Sequence, residues 1–190
     1  DDYSSKQHVL DVEGLIGQLG VQWPILIGHS MGGRNAITYA AKHPGQLGKL
    51  VIVDMAPEIS QRMAANSVNN PPDPGVFDNE AEAVVFLQKQ SRYPSYETLQ
   101  HAIHHSLKTR EDGRLIWKWD PSMRTRSRAV EPDMWPMLQD IDCPTLMVRG
   151  KDSPAIDPEV AERMIQVLPN GRLVEIESAE HSVHEDNPEA

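Results

Sequence analysis

Residues 24–33 read PILIGHSMGG: an apolar run ends abruptly in glycine, histidine and serine, then Met31 and two more glycines. An Ala-rich stretch, RNAITYAAKHPG, follows at once. A structural turn needs one or two glycines; here Gly28, Gly32 and Gly33 surround Ser30. The pattern predicts a buried strand, a very tight turn with Ser30 at its tip, and a helix whose Ala36, Ile37, Ala40 and Ala41 face inward. Small residues at Gly28 and Gly32 are expected to let strand and helix approach closely.

The same alternation recurs on both sides of a long interruption. QHVLDVEGLIGQLG spaces Val9, Leu10, Val12, Leu15, Ile16 and Leu19 on roughly one helical face, with Gly20 as a stop. KLVIVD, PTLMVRG and RLVEIE are apolar runs of strand length. DPEVAERMIQVLPNG is a helix, with Asp157 as N-cap and Pro158 in the first turn. Continuous apolar strands alternating with helices indicate an α/β fold, a mostly parallel sheet flanked by helices. Residues 1–56 and 136–190 form this core.

Between them, residues 57–135 lose the alternation. NEAEAVVFLQKQ and YETLQHAIHHSLK read as amphipathic helices, the second with Leu99, Ile103 and Leu107 four apart, and GRLIWKWDP as a short extended piece. This segment is expected to be an inserted helical lid above the carboxyl ends of the strands, where open α/β sheets place ligands.

Strand, Gly-His-Ser-Met-Gly and helix together form the nucleophile-elbow arrangement, which lifts a serine hydroxyl above the sheet over a helix amino terminus. The N–H of Met31 is placed as an oxyanion donor. Serine alone is a poor nucleophile and needs a base held by a carboxylate. His181, in the polar loop directly after the last strand, is the expected base, with His184 as its competitor. The acid is Asp54, at the carboxyl tip of LVIVD, or alternatively Asp152 in VRGKDSP, where Ser153 stands three residues after Gly150.

These residues give the chain a resemblance to the α/β-hydrolase fold family. It is carried by GHSMGG, LVIVDMAPE, MWPMLQDIDCPTLMVRGKDSP and AEHSVHEDNPE, and is narrower still to the lid-bearing branch of serine esterases and epoxide-hydrolase-like sequences. In some esterases of that branch the acid follows the strand after the elbow and serine replaces aspartate in the later loop, which matches Asp54 and Ser153. The resemblance implies hydrolysis of small or medium acyl esters or thioesters through an acyl-enzyme, with no metal or organic cofactor. The family begins with further strands before the elbow, one loop of which supplies a second oxyanion N–H. No strand is expected before Gln22, so this stretch is expected to lack the front of the sheet and that second donor. Glu180 stands where the family usually has glycine. Alternative readings are a cofactor-free perhydrolase or C–C bond hydrolase using the same residues, or a non-catalytic binding module.

Bulk properties narrow the partners. A formal net charge of −10 over 190 residues weighs against nucleic acid and against an anionic membrane surface. The expected partner is a small-molecule ester or thioester. One cysteine, Cys143, precludes an internal disulfide and suits a cytoplasmic setting; it is expected to be a buried structural thiol. His101 and His105, four apart on a helix, are weighed as a metal pair and read as a polar lid face. Arg124 to Arg128 form a small basic run read as solvated. Trp117, Trp119 and Trp135 are expected to pack the lid.

Overall fold

A computed structural model describes residues 2–58, 60–63, 65, 73–90, 93–120 and 133–190. The basic run Arg124 to Arg128 lies outside the described residues. Four strands, β1 (Ile25–His29), β2 (Lys49–Val53), β6 (Thr145–Gly150) and β7 (Gly171–Ile176), form one parallel sheet in the order β1-β2-β6-β7. The register aligns their carboxyl ends: His29 lies opposite Val53, Val53 opposite Val148, and Gly150 opposite Ile176. Whatever follows each strand therefore emerges at one edge of the sheet.

Helices cover the sheet because each carries one apolar stripe. α1 (Ser5–Leu19) starts on Ser4, whose hydroxyl accepts from the Gln7 N–H, and ends on Gly20 in the left-handed conformation. α2 (Met31–Lys42) buries Ala36, Ile37, Tyr39 and Ala40. α5 (Trp135–Gln139) and α6 (Pro158–Val167) contribute Leu138, Ala161 and Met164 to the same core, around Leu50, Ile52 and Met147 of the sheet. Two expectations change here. On α1 only Val9 is buried, with Val12 and Ile16 packed against the core, while Leu10, Leu15 and Leu19 are exposed. Residues 9, 12 and 16 make a stripe one helix wide, and the other three are rotated off it. Asp157 does occupy the N-cap of α6, but its side chain makes no capping bond.

The intervening segment has its own core. β3 (Val76–Phe77), α3 (Glu80–Gln88), α4 (Tyr96–Ser106), β4 (Leu107–Thr109) and β5 (Leu115–Trp117) surround Phe77, Ala83, Val84, Leu99, Ile103 and Leu107. α4 is shorter than its periodicity predicts. Leu107 leaves the helix to pair with Trp117, building a small antiparallel sheet in the order β3-β5-β4. Lys118 then donates from Nζ to the carbonyls of His104 and His105, satisfying the end of α4. Trp117 packs on this second core, and Trp119 stacks beside it at 6.1 Å. Trp135 instead packs on the main core, under the guanidinium of Arg163 at 3.8 Å, with its indole N–H donated to Glu58.

Candidate active site

Ser30 sits between the last residue of β1 and the first of α2, with φ 53° and ψ −118°. This backbone region is costly for any residue with a Cβ. It is imposed from both sides: the Ser30 N–H donates to the Val53 carbonyl at the end of β2, and its carbonyl accepts from Arg34 within α2. The turn is possible because Gly28 is glycine. A Cβ there would lie 2.3 Å from the Gly32 carbonyl oxygen. The expectation for Gly32 is overturned, since a Cβ at Gly32 would meet nothing within 4 Å. The second close approach belongs to Gly33, whose Cβ would lie 2.9 Å from Cβ of Met55. The Ser30 side chain makes no capping bond to α2, so its hydroxyl is available elsewhere.

Asp54 directly follows β2, with φ 45°, and is wholly buried. Its N–H donates to the Val148 carbonyl at 2.8 Å, which fixes it against β6. A buried carboxylate must have its lone pairs satisfied, and here three donors do so. The Gly150 N–H reaches Oδ1 at 3.0 Å, and the Ser153 hydroxyl reaches Oδ2 at 2.5 Å. The third donor is His181, whose Nδ1 lies 2.8 Å from Oδ2.

His181 lies in the loop between β7 and α7 (Val183–Asp186), with its side chain 30% exposed. Its Nε2 lies 2.9 Å from the Ser30 hydroxyl. Because a carboxylate only accepts, Nδ1 carries the proton and Nε2 of the neutral ring is left to accept from Ser30. The structure thus joins Ser30, His181 and Asp54 in one hydrogen-bonded line, although 127 residues separate Asp54 from His181.

The loops that carry these groups are knitted together. The Lys151 N–H donates to the Ile176 carbonyl and the Asp152 N–H to the Ala179 carbonyl. A Cβ on Gly150 would lie 2.1 Å from the Glu180 carbonyl oxygen, so only glycine lets the two loops meet. Glu180 needs no left-handed backbone, and its N–H donates to Asp186 at 2.7 Å. Asp152, the alternative acid, is engaged elsewhere: its carboxylate accepts from the Tyr93 hydroxyl of the intervening segment. From the same segment, Arg62 donates to the Ser153 and Asp152 carbonyls, and Ser60 to the Pro154 carbonyl. His184 lies on α7, edge-on to His29 at 5.1 Å.

Met31 opens α2, where the first N–H groups have no partner within the helix. Sequence reasoning passed over two contributors to this site. Ser153 appears there only as a departure from an expected aspartate, yet it bonds Asp54. His29 appears only as the residue before the serine, yet its Nε2 lies 2.8 Å from the His181 carbonyl. Burial lowers the pKa of His29, partly offset by that bond. Cys143 is buried, which pushes its thiol pKa up. The rings of His101 and His105 lie 4.2 Å apart on α4, tilted by 45°, and the charge of His101 lowers the readiness of His105 to take a proton. Among the described residues, no group of three or more His, Cys, Asp or Glu is arranged to hold a metal ion. No described helix is long and apolar enough to cross a membrane.

Comparison with known proteins places this geometry in context. The family model described as alpha/beta hydrolase fold matches residues 1–188. The 2-(acetamidomethylene)succinate hydrolase of Mesorhizobium japonicum is 26% identical over 190 residues, covering 98% of this chain and 68% of that protein. The sn-1-specific diacylglycerol lipase ABHD11 of Mus musculus is 26% identical over 188 residues, covering 94% of this chain and 60% of the lipase. A crystal structure of E-2-(acetamidomethylene)succinate hydrolase superposes with a TM-score of 0.84 at 25% identity, covering 100% of this chain and 71% of that one. The chain therefore spans roughly two thirds of the length of the relatives it matches.

Proposed function

The chain belongs to the alpha/beta hydrolase fold family, and from that premise we propose that it cleaves carboxylic esters or thioesters of small or medium acyl groups through an acyl-enzyme. Ser30 attacks the acyl carbon while His181 Nε2 takes its proton. The charge that develops on the carbonyl oxygen is held by the Met31 N–H at the start of α2. His181 returns the proton to the departing alcohol or thiol, then activates the water that releases the acid. Asp54 keeps the imidazole in the productive tautomer and stabilises the imidazolium.

The observation that carries this reading is the line Ser30–His181–Asp54, with contacts of 2.9 and 2.8 Å. A plain glycine-rich turn would have no reason to hold a serine at φ 53° with its hydroxyl on a histidine. The intervening segment is proposed as a lid, supported by its contacts through Ser60, Arg62 and Tyr93 to the loop that carries Ser153.

The test is labelling with a fluorophosphonate probe, followed by peptide mapping. Label on Ser30, absent in Ser30→Ala and strongly reduced in His181→Ala, is the expected result. A folded chain that neither takes the label nor hydrolyses short acyl esters would overturn the proposal. Product formation with peroxide and with diketone-like substrates would separate ester cleavage from the related chemistries.

A further inference from the structure

Two consecutive residues of the elbow both bond to His181, but through different atoms. Ser30 meets the ring at Nε2, and His29 meets the backbone carbonyl through its own Nε2 at 2.8 Å. Since a carbonyl only accepts, His29 carries a proton on Nε2 and donates it. We propose that His29 is a positioning residue for His181, clamping the base's main chain to the strand that carries Ser30 so that the imidazole spans Ser30 and Asp54. This inference rests on the function proposed above.

The geometry argues for a clamp rather than incidental packing. The bonds from the His181 ring to Ser30 and Asp54 hold its two nitrogens but not the main chain that carries the ring. A bond from the neighbouring residue to the same histidine's backbone fixes that main chain as well. His29 ends β1 in register with Val53, so the donor stands on the same rigid strand ends as Ser30 and Asp54. His181 itself sits off the strands, in the loop between β7 and α7. The His181 carbonyl lies before α7, whose internal bonds are accepted by Ser182 and Val183.

Turnover also favours a neutral His29. Its ring centroid lies 4.8 Å from that of His181 and 5.1 Å from that of His184. A charge on His29 would oppose the imidazolium that His181 becomes during turnover, with Asp54 as the nearby counter-charge. Burial favours the neutral form, which still donates from Nε2.

The experiment compares the intact chain with His29→Ala and His29→Gln, since the Gln amide can present an N–H near the place of Nε2. Steady-state kinetics on a short acyl ester should show kcat for His29→Ala about tenfold to a hundredfold down, the range expected for a misplaced catalytic group. KM should change less than twofold, and Gln should restore most of kcat. Full activity in His29→Ala would overturn the proposal. So would equal impairment of both variants, which would indicate packing alone. Long-range proton–nitrogen NMR of the imidazoles provides a readout independent of turnover. Expected are the Nε2–H form at His29 and the Nδ1–H form at His181 in the intact chain, with the His181 form becoming mixed in His29→Ala and single again in His29→Gln. An intact chain with this NMR signature but no hydrolysis would sink the function proposed above while leaving the clamp standing. A His181 form unchanged in His29→Ala would overturn the clamp.

Discussion

Ser153 donates its hydroxyl to Asp54 Oδ2 across 2.5 Å, and neither residue has any exposed surface. The hydroxyl also accepts from the Ala155 N–H at 3.0 Å, so the loop after β6 holds the serine and the serine holds the carboxylate. With the Gly150 N–H on the other oxygen, Asp54 is oriented before His181 arrives. Replacing Ser153 by Ala removes one bond to a charged group, an interaction worth about 1.5–3 kcal/mol. The expected outcome is a loss of stability in that range by urea denaturation, together with a kcat about tenfold lower. Asp54→Asn should cost about 10³–10⁴-fold in kcat, because an amide no longer enforces the right tautomer. Adding Ser153→Ala to Asp54→Asn should then cost little more, since both act through one group. Full additivity in that double-mutant cycle would show that Ser153 acts elsewhere.

The elbow makes a sharp contrast between two glycines. Gly28→Ala would press a methyl carbon to 2.3 Å from the Gly32 carbonyl oxygen, and both partners are backbone that cannot step aside. Overpacking of this kind costs about 1–3 kcal/mol and sometimes more. The variant is expected to unfold earlier and to lose probe labelling at Ser30. Gly32→Ala has open space around the new carbon and sits in the first turn of α2. It is expected to keep its stability within about 0.5 kcal/mol or gain slightly, as Gly-to-Ala changes in helices do. Thermal melts of the two variants side by side decide the matter.

These two glycines also show what the sequence could convey. The motif spacing pointed to a tight strand–turn–helix, because only small residues survive such a turn. It could not say which glycine faces the other element, since that depends on the rotation of α2 against β1. The same holds for α1, where the spacing of Leu10, Leu15 and Leu19 suggests a broad buried face but the packing uses only the stripe through Val9, Val12 and Ile16. GRLIWKWDP reads as a short extended piece and holds β5, but strands of two or three residues such as β3 and β4 carry no detectable period, so the pairing of a small sheet around Trp117 was not legible. Ser30, Asp54 and His181 were legible because each follows an apolar strand, and strand ends in a parallel sheet share an edge. His29 and Ser153 were not, because their roles lie in contacts across 152 and 99 residues.

Acid should weaken the fold partly through His29. Its pKa in the folded chain is lowered from the ordinary 6.5, chiefly by burial. Between that lowered value and 6.5 the unfolded chain binds more protons here than the folded one, so stability rises with pH across the window. The contribution is fully present above about 6.5 and is lost as pH falls toward the folded value. Thermal midpoints of the intact chain should therefore drop between neutral and mildly acidic pH more than those of His29→Gln, which has no group to titrate at that position. Parallel pH profiles for the two proteins would count against a depressed histidine at residue 29.

Strain at Ser30 predicts a conflict between stability and activity. The backbone at φ 53° and ψ −118° is unfavourable for any residue with a Cβ, and such positions store about 1–3 kcal/mol. Glycine adopts the same angles without that penalty, although its freer unfolded chain takes back up to about 1 kcal/mol. Ser30→Gly is also relieved of the contact that orients the hydroxyl toward His181, a bond of about 0.5–1.5 kcal/mol. The first effect is expected to match or exceed the other two, so Ser30→Gly should be at least as stable as the intact chain by urea denaturation while taking no fluorophosphonate label. Ser30→Ala keeps the Cβ, and with it the strain, while losing the same bond. It should therefore be less stable than Ser30→Gly, and the difference between the two inactive variants measures the strain less the entropy of glycine's freer unfolded chain. An alanine variant more stable than the glycine one, by the entropy of glycine's freer unfolded chain, would mean that the turn relaxes once the hydroxyl is gone. In that case the bond to His181, and not the packing of Gly28 against α2, would be what holds Ser30 in its unusual conformation.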